Sequence, residues 1–248
     1  MTEHMRRIRH EIVRAALREC RPPLTSHRIS VRALTALTRP VDGLQWQREV
    51  IGGVPVERTV SVGANATLIY LHGGAYGLGS AHGYRGVVGR LAEAAWMAAV
   101  MPDYSMVSEA VALEEMVEVY TALLTAGMDP RTTVIAGDSA GGGLALALAM
   151  TLRDRGIALP AALGLIRPRV DLALVGGNFA GLPPIVVQSA GEDPLLVGGA
   201  AVDVEHQQLD GLWHDIHLHT GVRVEADFAL AELGARLRAH VQDRVETT

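Results

Sequence analysis

Residues 133–155 read TVIAGDSAGGGLALALAMTLRDR, an apolar run that breaks into glycines and resumes as a long, largely apolar segment. Thr133 to Ala136 has the β-branched start and brevity of a strand, while Ala140 to Arg155 has the length of a helix and is closed by Gly156. Between them lies Gly137-Asp138-Ser139-Ala140-Gly141, a serine with glycine two residues to either side, at a strand-to-helix turn. Such a turn is strained and holds the serine hydroxyl out above the end of a sheet. The flanking glycines leave room for the turn and for close packing of strand on helix. The helix that follows aims its first N–H groups at negative charge developing nearby. The bland alternative is a tight turn with a solvent-exposed serine, so the rest of the chain has to decide.

The alternation of strand and helix recurs on both sides of this turn. Val54 to Val62 predicts a strand with polar alternation at a sheet edge. Ala66 to Leu71, Ala98 to Pro102, Ala162 to Ile166, Pro184 to Ser189 and Val204 to Leu209 predict further strands. Helical patterns run from about Tyr84 to Trp96, from Ala110 to Ala126, and from about Glu225 to Val245. Continuous apolar strands separated by helices predict an α/β domain, with a mostly parallel central sheet covered on both faces. Near the N-terminus, Met5, Ile8, Ile12, Ala16 and Cys20 mark one face of a helix that stops before Pro22 and Pro23. Its other face carries Arg6, Arg7, Arg14 and Arg18, and reads as a solvated face rather than a membrane-surface one.

A chain of 248 residues fits one domain, and 49% hydrophobic residues with only 4% aromatics require a core built from Ala, Val and Leu. A net charge of -5 gives no electrostatic case for nucleic acid. The single cysteine, Cys20, excludes an intrachain disulfide and a cysteine-based zinc cluster. No stretch is apolar for long enough to span a membrane and no secretory h-region opens the chain, so a cytoplasmic protein is expected. All 22 basic residues are arginine. The absence of lysine removes P-loop, Schiff-base and Ser-x-x-Lys chemistry.

A second glycine-rich loop, His72-Gly73-Gly74-Ala75-Tyr76, follows the strand that ends at Leu71. Backbone N–H groups unobstructed by side chains are what an oxyanion hole requires. The spacing Gly73-x-x-x-Gly77-x-Gly79 also suits a dinucleotide loop, which would make this a short-chain dehydrogenase. That chemistry pairs a tyrosine with a lysine, and the chain has none.

A serine hydroxyl needs a base, and the base needs an orienting acid, in the chain order Ser, acid, His. Gly191-Glu192-Asp193-Pro194 follows one strand and Gly211-Leu212-Trp213-His214 follows the next, so both can converge on Ser139. Asp193 is the better acid and Glu192 the fallback. His217 and His219 are local rivals of His214, and His214-x-x-His217-x-His219 with Asp215 also has the look of a metal cluster. No further ligand pattern accompanies it, and core or surface histidines are the commoner occurrence. No cofactor or metal is called for.

Together these segments resemble the bacterial hormone-sensitive-lipase-like esterases of the α/β-hydrolase superfamily. The matching stretches are His72 to Gly79, Asp103-Tyr104, Gly137 to Gly142, Gly191 to Leu195 and Trp213-His214. The resemblance implies Ser139, Asp193 and His214 as a triad. It further implies an oxyanion hole built from Gly73, Gly74, Ala75 and Ala140, with Gly73 shaping the loop and the other three donating. It also implies a small-molecule ester of short or medium chain as substrate, and a helical cap to which residues 1–45 contribute. Ala75 stands where the family has a third glycine. The links at 105–110, 171–182 and 196–203 are shorter than the family's. They predict either a reduced cap or residues missing at those steps, and the second is the reading favoured by the length a parallel crossover needs. An inactive α/β-hydrolase serving as a binding module is the alternative these short links leave open.

Overall fold

Four strands with no polar face set the middle of the sheet: Thr67–Leu71 (β3), Thr133–Asp138 (β5), Ala162–Ile166 (β6) and Ile185–Ser189 (β7). All but Thr67 of their residues are buried, as strands covered on both sides must be. The computed structural model describes residues 40–60, 64–74, 79–169, 178–189, 203–209, 212 and 216–246. The remaining described strands are Trp46–Ile51 (β1), Val54–Thr59 (β2), Ala98–Pro102 (β4) and Val204–Gln208 (β8). They form one eight-stranded sheet in the order β1-β2-β4-β3-β5-β6-β7-β8. β1 pairs antiparallel with β2 and β2 with β4; every other neighbouring pair is parallel.

Alternation along the strands divides the core in two. Ile69, Leu71, Ile135, Leu163, Leu165 and Val187 face one way, towards Glu109–Thr125 (α2) and Ser139–Asp154 (α3). Leu68, Tyr70, Val134, Ala136, Ala162 and Val186 face the other way, towards Arg85–Ala95 (α1) and Val224–Glu246 (α4). The expected architecture, a mostly parallel sheet flanked by helices, is therefore the observed one.

Two element readings change. Val54 to Thr59 is not the edge, because β1 lies outside it. Gln47, Arg48, Glu49 and Val50 of β1 are all exposed, so this strand shows no apolar alternation to read. Its turn is legible nonetheless: Gly52 and Gly53, at φ 57° and 80°, close a two-residue hairpin in which Ile51 pairs with Val54. The second change is that α3 begins at Ser139 itself. β7 and β8 are parallel neighbours as expected, with Ile185 opposite Val204 and Ser189 opposite Gln208.

The link at 105–110 is a short turn tied to the helix that follows it. The Ser105 amide donates to Glu115 Oε2 at 2.6 Å, and Ser108 caps α2 by accepting from the Val111 amide at 3.3 Å. Residues 171–177 and 196–202 of the other two links lie outside the described residues, as do 1–39 with the expected N-terminal helix. Val41 and Leu44 lie where a Cβ on Gly89 of α1 would meet them, at 3.2 and 3.0 Å. Among the described residues no helix is long and apolar enough to cross a membrane.

Candidate active site

β3, β5, β6, β7 and β8 all run parallel, so their C-terminal ends share one edge of the sheet. Ligands bind at that edge in open α/β sheets. At its centre, Ser139 follows β5 directly and has φ 49°, one of three non-glycine residues with positive φ among those described. A serine in this region costs about 1–2 kcal/mol, so its surroundings must hold it there. They do so by crowding. A Cβ at Gly137 would lie 2.5 Å from the Gly141 carbonyl oxygen, and one at Gly141 would lie 2.0 Å from that of Leu71. The helix N-terminus is thereby pressed against the exit of β3. A Cβ at Gly143 would lie 2.2 Å from the Arg169 carbonyl oxygen, and the Arg169 amide donates to the Ser139 carbonyl at 2.7 Å. The turn is clamped from β3 on one side and from the segment after β6 on the other.

Asp138, the residue before the serine, is fully buried and gathers the neighbouring elements. Its Oδ1 accepts from the Tyr70 hydroxyl at 2.9 Å and from the Gly73 amide at 2.8 Å; its Oδ2 accepts from the Tyr84 hydroxyl at 3.0 Å. His217 Nε2 lies 3.3 Å from Oδ2, within ion-pair range but without hydrogen-bond alignment. Burial is the largest influence on this carboxyl and raises its pKa. The His217 contact, the Tyr70 hydroxyl and the Gly73 amide outweigh it and hold the group below the ordinary carboxylate range. A buried carboxylate that collects donors in this way is an organising charge.

The glycine-rich loop leaves β3 under equally tight constraint. A Cβ on Gly73 would lie 2.2 Å from Asp138 Oδ2, so only glycine fits there. Gly74 has φ 129°, a conformation natural to glycine. His72 is fully buried, with Nδ1 2.9 Å from the Gly73 carbonyl oxygen. It stacks on Tyr104, with ring centroids 4.7 Å apart, and the Tyr104 hydroxyl donates to the His72 carbonyl. Burial pushes the His72 pKa below the ordinary histidine range, against the opposing pull of the Gly73 carbonyl, Asp138 and Asp103. At the other end of the loop, Asp103 Oδ1 accepts from the Ala81 amide at 2.8 Å. Asp103-Tyr104 thus braces both ends of the loop.

Three comparisons bear on what this edge is for. Residues 68–177 match the family model described as alpha/beta hydrolase fold. The chain is 45% identical to a protein of Mycobacterium tuberculosis named "Putative acetyl-hydrolase LipR", over 94% of this chain and 96% of that one. It is 31% identical to an acetyl-hydrolase of Streptomyces hygroscopicus, over 69% of this chain and 75% of the relative. An esterase of the bacterial hormone-sensitive lipase family superposes with a TM-score of 0.86 at 26% identity, covering 97% of this chain and 99% of that structure. The chain belongs to the hormone-sensitive-lipase-like esterases of the α/β-hydrolase superfamily.

Membership of that family removes the dehydrogenase alternative. The alignment with the mycobacterial relative runs over 294 residues, more than the 248 of this chain. The relative therefore carries internal residues without a counterpart here.

Of the site residues expected from sequence, Ser139 and Ala140 open α3 directly after β5, and Gly73 and Gly74 follow β3, the parallel neighbour of β5. The Gly73 amide is committed to Asp138, which makes this residue a shaper of the loop. Asp193, Glu192, His214 and Ala75 lie outside the described residues. β7 ends at Ser189 and β8 at Gln208, four and six residues before Asp193 and His214. Among the described residues, no three His, Cys, Asp or Glu side chains are grouped as metal ligands would be. A cavity of about 720 Å³ lined by Leu44, Ala92, Trp96 and Met97 opens near the starts of β3 and β4, the edge away from Ser139. The hub formed by Asp138, Tyr70 and Tyr84 is what sequence reasoning missed. Its one available signal was an acidic residue at the end of a buried strand.

Proposed function

We propose that this carboxylesterase- and lipase-like hydrolase cleaves short- to medium-chain carboxylic esters through an acyl-enzyme on Ser139. His214 serves as base and Asp193 as its orienting acid. The observation that carries the reading is the conformation of Ser139: a positive φ of 49° at the first residue of α3, between Gly137 and Gly141, where no larger residue fits. Strain of that kind is expected where a nucleophile must be exposed.

Ser139 Oγ attacks the ester carbonyl carbon while His214 accepts the hydroxyl proton, and Asp193 stabilises the imidazolium. The amides of Gly74, Ala75 and Ala140 receive the oxyanion, with Gly73 holding the loop in place. Collapse of the tetrahedral intermediate expels the alcohol, which takes the proton from His214. Water then attacks the acyl-enzyme by the same route and releases the acid. The placement of both candidate segments just beyond β7 and β8 supports this order. Two relatives named acetyl-hydrolases make an acetyl ester the substrate to try first.

Fluorophosphonate labelling tests the reading. The chain is expected to be captured at Ser139, and Ser139→Ala is expected to lose capture together with about 10⁶-fold in kcat on p-nitrophenyl acetate. An unlabelled chain, or a Ser139→Ala variant retaining a few per cent of activity, removes Ser139 as nucleophile. Failure of capture in a folded chain would favour a binding module instead.

A further inference from the structure

The triad leaves His217 without a role, yet it is among the most deeply placed polar groups in the molecule. Only 2% of it is exposed, and its Nε2 is 3.3 Å from Asp138 Oδ2. We propose that His217 is a positioning residue for ester hydrolysis, holding the segment that follows His214 against the carboxylate that also fixes the oxyanion loop and precedes Ser139. The proposal rests on the reading of Ser139 and His214 as nucleophile and base.

Connectivity carries the inference. The 3₁₀ turn Ile216–His219 begins two residues after His214. Two Cα steps of about 3.8 Å each separate Ile216 from His214 in the chain, so an anchor on this turn acts next to the residue read as the base. The turn is anchored on its far side as well. Thr220 Oγ1 donates to Asp227 Oδ1 of α4 at 2.5 Å, and the Gly221 amide donates to the same oxygen at 2.8 Å. On its near side, the described polar contact with the nucleophile's surroundings runs from His217 to Asp138. The same carboxylate receives Gly73, at the start of the oxyanion loop, and Tyr84, which lies beyond its end. One carboxylate thus sets three parts of the site in register: the nucleophile by covalent connection, the oxyanion loop by hydrogen bonds, and the histidine segment through His217. An imidazole attracts this carboxylate only with a proton on Nε2. A polar side chain of similar reach can therefore keep the contact with the carboxylate, and an apolar one cannot.

The test compares His217→Gln, His217→Asn and His217→Leu with the unaltered chain on p-nitrophenyl acetate, separating kcat from KM and recording each thermal midpoint. His217→Gln, which keeps a polar amide of similar reach, is expected to stay within about fivefold of the parent kcat. His217→Asn and His217→Leu are expected to lose about 30- to 100-fold, as a displacement near 1 Å would cause, with KM changed less than about twofold. The thermal midpoint is not expected to rank the variants in the same order. If kcat follows the midpoint across the three, if the Gln variant falls with the Leu variant, or if the Leu variant keeps full activity, His217 is packing alone and the proposal is overturned. Should His217→Leu fail to fold, the Gln and Asn variants decide by the same criteria. Fluorophosphonate capture of the unaltered chain distinguishes the two failures. No capture removes the nucleophile reading and this proposal with it, whereas capture with undiminished kcat in the variants removes this proposal alone.

Discussion

Replacing Gly141 by alanine tests whether backbone crowding is what poises Ser139. The added Cβ would lie 2.0 Å from the Leu71 carbonyl oxygen and 2.6 Å from that of His72, where ordinary contacts begin at 3.4 Å. Neither oxygen belongs to a flexible side chain, so the start of α3 and the exit of β3 must part by more than about 1 Å. β3 is hydrogen-bonded to β5 in register, with Leu71 opposite Gly137, so the separation strains the pairing that supports the turn. Overpacking of this kind costs about 1–3 kcal/mol. At about 2–4 °C per kcal/mol for a domain of this size, the thermal midpoint should fall by roughly 2–12 °C. The same shift carries the Ala140 amide away from the Gly74 loop, and a 1 Å misplacement costs about 10²-fold in rate. Gly156→Ala is the control: a Cβ there meets nothing within 4 Å, but φ is 67°. It should cost about 1–2 kcal/mol of strain and leave kcat intact. Circular dichroism melts and p-nitrophenyl acetate turnover read both quantities. A Gly141→Ala chain with an unchanged midpoint and kcat within twofold of the parent would refute the reasoning.

Asp193→Asn should lower kcat by about 10⁴-fold by favouring the wrong histidine tautomer, while Glu192→Gln should change it little; the reverse ranking in steady-state kinetics moves the acid to Glu192. Stability should fall on mild acidification through His72. Its folded pKa is lowered by burial, so below about pH 6.5 the unfolded chain binds the extra proton first. Its contribution is complete above that pH and is lost as pH falls towards the folded pKa. A His72→Gln chain should show a flatter thermal midpoint between pH 7.5 and pH 5, and an equally steep fall would assign the effect elsewhere. Chelation with EDTA should leave activity unchanged, whereas loss restored by a divalent cation would revive the histidine-cluster reading.

The sequence by itself determined the strands of the parallel sheet, because a strand buried on both faces can carry little but apolar residues; TLIYL, ALGLI and IVVQS are readable without neighbours. It also determined the serine turn, because Gly-x-Ser-x-Gly between a strand and a helix is written in consecutive residues. β1 escaped because an edge strand buries so little that Gln47, Arg48 and Glu49 are free to be polar. Only the tertiary structure decided what Asp138 and His217 do. The groups that meet at the Asp138 carboxylate come from residues 70, 73, 84 and 217. No local pattern records that meeting. It follows from sheet order, which brings β3 beside β5 and sets Tyr70 and Asp138 on the same face. Sequence spacing fixes which groups share a turn, a strand or a helix face. Which distant groups share a buried charge depends on how those elements pack, because burial is what obliges a carboxylate to gather its partners from wherever the fold supplies them.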